Sequence, residues 1–187
     1  MKVVSFYTQD SEYERRAPCL IKSLKKFGLD YCVEGVKSFG SWVVNCAYKP
    51  KFIKEKLQQF PGKRIIWTDV DSELLEFPSL MLDIQADFGY HRLINDEVLS
   101  GTLFFQNNVM CHHLLDMWIE SCSKHPREWD QKTLSRVIAQ SGASVYQLPI
   151  EYCYIFDINK RYANCYRSEP VFIHYQQSRL GRHQGGK

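Results

Sequence analysis

Residues 64–71 read Arg-Ile-Ile-Trp-Thr-Asp-Val-Asp, an apolar run that ends in two aspartates. The apolar part predicts a buried strand. Because side chains alternate between the two faces of a strand, Asp69 and Asp71 project to the same side where this strand leaves its sheet. Two carboxylates so close repel each other unless a cation lies between them, and hard oxygen donors favour Mg²⁺ or Mn²⁺. The stretch predicts a divalent-metal site, although an Asp-x-Asp tripeptide also arises by chance.

Strands and helices alternate on either side of this stretch. Predicted strands lie at residues 3–7, 29–36 and 64–68. One helix is predicted at residues 50–60, and another is predicted to have Pro18 in its first turn and to end at Gly28. This alternation predicts an α/β fold with a mixed, mostly parallel central sheet flanked by helices. Ligands bind such sheets at the carboxyl ends of strands, which is where the two aspartates are placed.

The second half of the chain predicts more strands and two longer helices. The strands are expected at residues 87–91, 103–106, 145–148 and 171–174, and the helices at 109–123 and 130–140. A turn is expected at Ser100-Gly101, and the polar segments 92–99 and 155–168 are candidate mobile loops over a site. No segment reads as a linker, so the 187 residues are expected to form one domain.

Composition predicts a soluble protein of modest charge. The formal net charge is +3, and neither a signal peptide nor a run of about 18 apolar residues is present, which predicts a cytoplasmic protein. The seven cysteines form no C-x-x-C pair, which favours reduced thiols. Acidic residues are absent after Glu169, so residues 175–187 are expected to be a flexible basic tail, either simply solvated or facing an anionic partner.

Four motifs give the chain a resemblance to a known family. They are Asp69-Val70-Asp71, the segment 100–108, Asp130-Gln131 and Ile173-His174, in this order. The chain resembles the nucleotide-diphospho-sugar transferases of the GT-A glycosyltransferase fold over nearly its whole length. The resemblance implies a single GT-A (Rossmann-like) domain over residues 1–187. It also implies an enzyme that moves a sugar from a nucleotide-diphosphate sugar, most commonly a UDP-sugar, to a hydroxyl acceptor.

The resemblance also implies a metal site. In that family an Asp-x-Asp motif and a late histidine hold Mn²⁺ or Mg²⁺, so Asp71 and His174 would be direct ligands and Asp69 would contact the metal or the ribose. The ion would stabilise the diphosphate as a leaving group. Taken alone, His174 also reads as an ordinary histidine at the end of a strand.

Further residues are implied to bind the donor. Tyr7 and Thr8 would cradle the nucleotide, although Tyr7 also fits the core. The pattern formed by Trp42, Asn45 and Lys49 resembles the family, with Lys49 contacting the diphosphate or sugar, or else lying solvated at the start of a helix. The other implied donor-binding residues are Val70, Ser100, Gly101, Gln106, Asn107 and Asn108 around the sugar, and Arg179 and Arg182 as a lid over the phosphates.

Asp130 and Gln131 are the candidate catalytic pair. The resemblance implies that the aspartate binds donor-sugar hydroxyls and that the amide lies near the anomeric carbon, which favours a retaining reaction. If Asp130 met the acceptor hydroxyl instead, it would be the general base of an inverting reaction. Asp130 also reads as the N-cap of the helix that follows.

Two other functions remain open from the sequence. A sugar-phosphate nucleotidyltransferase has a similar sheet, but it normally carries a glycine-rich, basic loop after the first strand. Residues 8–12 are neither rich in glycine nor basic. A non-catalytic module that binds nucleotide sugars would keep the pocket without turnover. The acceptor could be a glycan, a protein or a hydroxylated DNA base, although a charge of +3 is modest for DNA binding.

Overall fold

A computed structural model describes residues 1–166 and 168–180 of the chain. The strands are β1 (Lys2–Thr8), β2 (Tyr31–Val36), β3 (Ile65–Thr68), β4 (Ser72–Leu74), β5 (Phe88–Arg92), β6 (Val98–Phe105), β7 (Val145–Gln147), β8 (Tyr154–Ile155) and β9 (Phe172–His174). The helices are α1 (Glu12–Lys26), α2 (Trp42–Ala47), α3 (Lys49–Gln59), α4 (Leu80–Asp83), α5 (Val109–Lys124), α6 (Asp130–Val137), α7 (Ile158–Arg161) and α8 (Gln177–Leu180). Within the described ranges, no helix combines the length and the hydrophobicity needed to cross a bilayer.

Six strands form the central sheet in the order β2-β1-β3-β6-β5-β7. The pairs β1–β2, β1–β3 and β5–β7 are parallel, whereas β6 runs antiparallel to both β3 and β5. The predicted mixed, mostly parallel sheet flanked by helices is confirmed. Because β6 is reversed, its first residues lie beside the carboxyl end of β3 and its last residues lie at the opposite edge.

The core lies on both faces of this sheet, which explains why the β3 sequence is apolar throughout. Ile65 and Trp67 pack into one cluster with residues of α3, α5 and α6, while Ile66 packs into a second cluster with residues of α1. A strand that is covered on both faces reads as a continuous apolar run rather than as an alternation.

A second, three-stranded sheet joins distant parts of the chain in the order β4-β9-β8. β4 follows the two aspartates directly, and its antiparallel register with β9 pairs Ser72 with His174. This pairing carries the late histidine to the end of β3.

The first helix begins earlier than predicted. Ser11 is the N-cap and its side chain accepts a hydrogen bond from the Tyr13 N–H, so α1 starts at Glu12 and Pro18 lies inside the helix rather than in its first turn. Proline in that position removes one helical hydrogen bond. Gly28 adopts φ +66° directly after the helix, as its predicted role at the helix end requires.

The predicted turn at Ser100-Gly101 is wrong, because β6 runs through both residues. The reversal occurs earlier, at residues 93–97. There the Leu93 N–H donates to the Glu97 carbonyl, and Asp96 adopts φ +64°. The segment 92–99 therefore forms a tight hairpin, and Glu97 and Leu99 from it line the cleft described below. The segment predicted as a loop at 155–168 contains the end of β8 and all of α7.

Candidate functional site

A cleft of about 630 Å³ opens at the carboxyl ends of β1 and β3 and beside the start of β6. Most of the residues predicted to bind substrate or metal line it. They are Tyr7, Thr8, Trp42, Asn45, Lys49, Asp69, Val70, Asp71, Ser100, Gly101, Asp130, Gln131, His174 and Arg179. The cleft therefore lies where the strand order predicts a ligand site.

Asp69, Asp71 and His174 converge in this cleft. One candidate ligand atom from each lies within 4.8 Å of the others. His174 is buried, and its Nε2 lies 2.8 Å from Thr102 Oγ1. Its Nδ1 is also buried and has no hydrogen-bond partner within residues 1–166 and 168–180. One ring nitrogen is thus oriented by a hydroxyl while the other is free to ligate, as is usual for a metal-binding histidine.

The protonation of this cluster suits a cation. Burial, with a smaller contribution from Lys49, lowers the pKa of His174 to about 3, so the ring is neutral and can donate a lone pair. Burial and the charge of Asp69 raise the pKa of Asp71 to about 6, although the Gln177 backbone N–H donates to its carboxylate at 2.7 Å. A divalent ion would offset the repulsion between the two carboxylates. The residues present therefore fit a hard divalent metal.

Gly101 allows the histidine to approach the sheet. A Cβ at this position would lie 3.0 Å from His174 Cε1 and 3.1 Å from His174 Nδ1. Only glycine leaves this space, so the small residue in the middle of β6 is explained by the packing of the ring against it.

Lys49 is buried between two carboxylates. Its Nζ lies 2.7 Å from Asp130 Oδ2 and 2.9 Å from Asp69 Oδ1, and it also donates to the Ser100 carbonyl at 3.2 Å. Burial alone would lower the pKa of Lys49, but Asp130 and Asp69 outweigh burial and raise it. The reading of Lys49 as a solvated lysine is wrong, because its charge compensates the carboxylates of the cleft.

Asp130 faces the cleft rather than capping α6. Trp129 occupies the N-cap position, and Asp130 is the first residue of the helix. The Asp130 carboxylate accepts a hydrogen bond from Ser100 Oγ at 2.8 Å in addition to the Lys49 ion pair. The predicted N-cap role is wrong because these partners draw the side chain away from the helix N–H groups.

Gln131 bridges the start of β6 and the preceding hairpin. Its Oε1 accepts from the Ser100 N–H at 3.4 Å, and its Nε2 donates to Glu97 Oε1 at 2.8 Å. The amide is thereby held at the cleft wall beside Asp130.

Aromatic and polar side chains line the cleft near the end of β1. The Tyr7 ring lies over Gly35, where a Cβ would come within 3.0 Å of it. Trp42 is partly exposed and donates its Nε1–H to Tyr13 Oη at 3.2 Å. Thr8 donates its hydroxyl to Ser11 Oγ at 3.0 Å. This part of the cleft offers rings at its wall and hydroxyl groups at its edge.

Asn45 also lines the cleft, but its side chain is committed to the protein. The Asn45 Oδ1 accepts from the Phe39 N–H at 2.7 Å, and its Nδ2 donates to Ser38 Oγ at 3.2 Å. The structure therefore gives this residue the local role of holding the loop before α2.

Gln106, Asn107 and Asn108 do not line the cleft. Asn107 donates to the carbonyls of Phe60 and Lys63 before β3, and Asn108 caps α5 and donates to Asp87. Because β6 runs antiparallel to β3, its end lies at the opposite edge of the sheet from Asp69. The prediction that these three residues bind the sugar is wrong.

Part of the predicted basic tail contributes to the cleft wall. Arg179 lies in α8 and pairs with Asp157, with Nη1 and Oδ1 3.1 Å apart. The described part of the tail, residues 175–180, thus includes a short helix. Arg182, the other arginine of the predicted lid, lies outside the described residues.

Several cleft residues were missed from the sequence. Glu97, Arg127, Trp129 and Arg161 line the same cleft, as does Tyr13. Arg127 and Trp129 directly precede Asp130, so their proximity to the candidate catalytic pair was a usable signal. Glu97 and Arg161 lie in the two polar segments, 92–99 and 155–168, that were predicted to lie over a site, although neither residue was singled out.

Comparison with solved structures shows the fold. The chain is similar to a glycosyltransferase involved in the glycosylation of the major capsid of PBCV-1, with a TM-score of 0.72 and 13% identity over 98% of this chain and 96% of that one. It is also similar to the galactosyltransferase LgtC in complex with donor and acceptor sugar analogs, with a TM-score of 0.63 and 11% identity over 94% and 87% of the two chains.

The glycosyltransferase GlyE of Streptococcus pneumoniae TIGR4 is similar with a TM-score of 0.64 and 14% identity, over 93% of this chain and 54% of GlyE. No protein-family model and no curated protein matches the chain. At these identities the likeness establishes the architecture, and the chain has the GT-A fold.

Proposed function

We propose that the chain is a metal-dependent glycosyltransferase that moves a sugar from a UDP-sugar to a hydroxyl acceptor. The observation that supports this most is the convergence of Asp69, Asp71 and His174, with the free Nδ1 of a buried neutral imidazole beside two carboxylates. The similar structures supply a second, independent support, because the named proteins are glycosyltransferases.

Asp71 and His174 would hold Mn²⁺ or Mg²⁺, with Asp69 contacting the ion or the donor. When bound, the metal would neutralise the diphosphate and stabilise it as the leaving group. Thr102 keeps the imidazole oriented through Nε2, and the Gln177 N–H fixes one carboxylate oxygen of Asp71. These contacts preorganise the ligands before any ion arrives.

The order of residues along the sheet supports an orientation for the donor. Tyr7 lies near the end of β1 and Trp42 bonds Tyr13 of α1, so both would meet the base on the β1 side of the cleft. Ser100, Gly101 and Asp130 lie on the β6 side, where the sugar would extend. The diphosphate would then lie between them at the Asp69–Asp71 end of β3.

We propose a retaining reaction, as the Asp130-Gln131 pair implies. Lys49 and Ser100 both contact Oδ2 of Asp130, which fixes the carboxylate and leaves Oδ1 to accept a hydrogen bond from a sugar hydroxyl. We therefore assign Asp130 to orientation of the donor sugar. Gln131 would lie beside the reacting carbon.

The start of α1 argues against nucleotidyl transfer. The β1–α1 connection carries Glu12 and Glu14 in the first helical turn, and Glu14 accepts from the Asp10 N–H at 2.7 Å. A phosphate at this helix N-terminus would meet carboxylates in place of free N–H groups. A non-catalytic binding module remains the second candidate, and turnover separates it from the enzyme.

A cytoplasmic location is part of the proposal. All seven cysteines are free thiols, and Cys19 and Cys165 are exposed. Free exposed thiols are typical of a reducing compartment.

The test is a screen of nucleotide sugars for Mn²⁺-dependent binding and for release of free nucleotide. Asp71→Asn and His174→Gln should each abolish metal-dependent donor binding while the far-UV circular dichroism stays unchanged. His91→Gln is the matched control, because His91 is another buried histidine that does not line the cleft. Binding without nucleotide release would make the chain a binding module. Undiminished turnover in either ligand variant would remove that residue from the site.

A further inference from the structure

Two exposed arginines at the rim of the cleft have no hydrogen-bond or ion-pair partner among the described residues. Arg127 precedes α6 and Arg161 ends α7, and both line the cleft. Neither makes a hydrogen bond or an ion pair with any residue in the ranges 1–166 and 168–180; Arg161 has only a cation–π contact with its neighbour Tyr162.

The other described arginines all have such partners, even where they are well exposed. They are Arg15 with Glu12, Arg16 with Gln177, Arg64 with the Leu82 carbonyl, Arg92 with Tyr90, Arg136 with Glu128 and Arg179 with Asp157. Among the arginines that the structure describes, the two without such a partner both line the cleft.

The two arginines lie on the side of the cleft away from the nucleotide end. α6 packs on β6, and Ile158 of α7 packs in a cluster with Leu99 of β6. In the sheet order, β6 follows β3, whereas β1, with Tyr7 and Thr8, lies on the other side of β3. Arg127 and Arg161 thus come from segments next to α6 and in α7, which pack near the start of β6.

No described acid of the cleft pairs with either of the two arginines. Lys49 pairs with Asp69 and Asp130, and Asp71 belongs to the candidate metal cluster. Glu97 is the remaining carboxylate on this side, and it accepts from the Gln131 amide without forming an ion pair with either arginine. Lys132 adds a further positive charge, 4.3 Å over the ring of Trp129.

A half-buried indole lines the cleft next to the candidate catalytic pair in sequence. Trp129 lines the cleft one residue before Asp130 and two residues after Arg127. Aromatic rings with nearby polar groups are suited to the apolar face of a sugar, and arginine binds carboxylate or phosphate with paired hydrogen bonds. Together they form a site for a saccharide that carries one anionic group.

We propose that Arg127 and Arg161 form an acceptor subsite selective for a sugar with a carboxylate or phosphate substituent. This inference rests on the proposed glycosyltransferase function, because it assigns the substrate that enters beside Asp130. A single small anion fits better than a polyanion, since Glu97, Asp69 and Asp71 face the same cleft. The subsite would thus select the acceptor by charge.

The experiment measures binding of matched pairs of monosaccharides to the protein loaded with Mn²⁺ and UDP. The pairs are glucose, galactose and mannose, each against its uronic acid and its 6-phosphate. At least one acidic sugar should bind about tenfold or more tightly than its neutral parent, and Arg127→Gln/Arg161→Gln should abolish the difference. Whether the uronic acids or the phosphates gain affinity identifies the anionic group.

Arg15→Gln is the control, because Arg15 is exposed on α1 outside the cleft and should leave the preference intact. If no acidic sugar binds better than its parent, or if the preference survives in the double variant, the subsite is refuted. If the double variant instead changes the preference between UDP-glucuronate and UDP-glucose without an acceptor, the arginines serve the donor and the inference falls. Failure of Mn²⁺–UDP to bind the unaltered protein would refute the proposed function itself.

Discussion

Replacing Lys49 by methionine should destabilise the protein strongly, because it leaves Asp130 buried and unpaired. Asp130 is only 4% exposed, while the Asp69 side chain is 31% exposed and can be solvated. Opposite charges about 3 Å apart attract by roughly 5 kcal/mol at an effective dielectric constant of about 20. Removing one partner of a buried pair typically costs about 3–5 kcal/mol, a large part of a total stability of about 5–15 kcal/mol. We assign most of this loss to Asp130.

Urea denaturation of the apo protein measures this loss, and a double-mutant cycle tests its cause. Lys49→Met/Asp130→Asn should be at least about 2 kcal/mol more stable than the sum of the two single effects predicts, because position 130 then carries no buried charge that needs Lys49. Lys54→Met is the control from the same helix, since Lys54 pairs with Asp116 at the surface and its loss should cost less than about 1 kcal/mol. Single effects that add to within about 0.5 kcal/mol would refute the reasoning.

Two further predictions concern His174. Thr102→Val removes the hydroxyl that orients Nε2 and should weaken Mn²⁺ binding by about 10- to 100-fold, measured by titration calorimetry; unchanged affinity would show that the hydroxyl does not position the ring. The pKa of His174 is about 3 in the fold against 6.5 for an unperturbed histidine, so below pH 6.5 the unfolded chain binds a proton that the folded protein does not. Stability should therefore fall as the pH decreases from 6.5 toward 3, and by pH 5 this contribution reaches about 2 kcal/mol. In urea titrations with EDTA, the free energy of unfolding should fall between pH 7 and pH 5 by about 2 kcal/mol less in His174→Gln than in the unaltered protein. Equal losses in the two proteins would contradict the assignment.

The first half of the fold could be predicted because its patterns are local. The apolar run of β3, the stop at Gly28 and the alternation of strands and helices each follow from a few adjacent residues. Pro18 misled the prediction because it suits a first helical turn, while the capping hydroxyl of Ser11 sets the actual start.

The direction of β6 could not be read from its sequence. A strand has the same pattern in either direction, so the reversal that moves Gln106, Asn107 and Asn108 to the far edge depends on pairing with β3. The same reversal brings Ser100 and Gly101 into the cleft, which the resemblance had implied.

The role of Lys49 depends on partners that are far apart in sequence. Asp69 and Asp130 lie on either side of its ammonium group only after α3 and α6 pack on the sheet. A lysine at the start of a helix carries no local signal of burial. The sequence was therefore compatible with Lys49 in solvent as well as with Lys49 at the substrate. The unpartnered arginines were missed for a related reason, since the lack of a partner is a property of the whole fold.

The antiparallel register of β4 and β9 has a consequence for synthesis of the protein. Ser72 and His174 are paired across about a hundred residues, so the imidazole joins the aspartates only after residue 174 has left the ribosome. The central sheet is complete by β7, at residue 147, and can form before then. A polypeptide that ends before residue 174 would therefore keep the central sheet and lack the histidine of the candidate metal cluster.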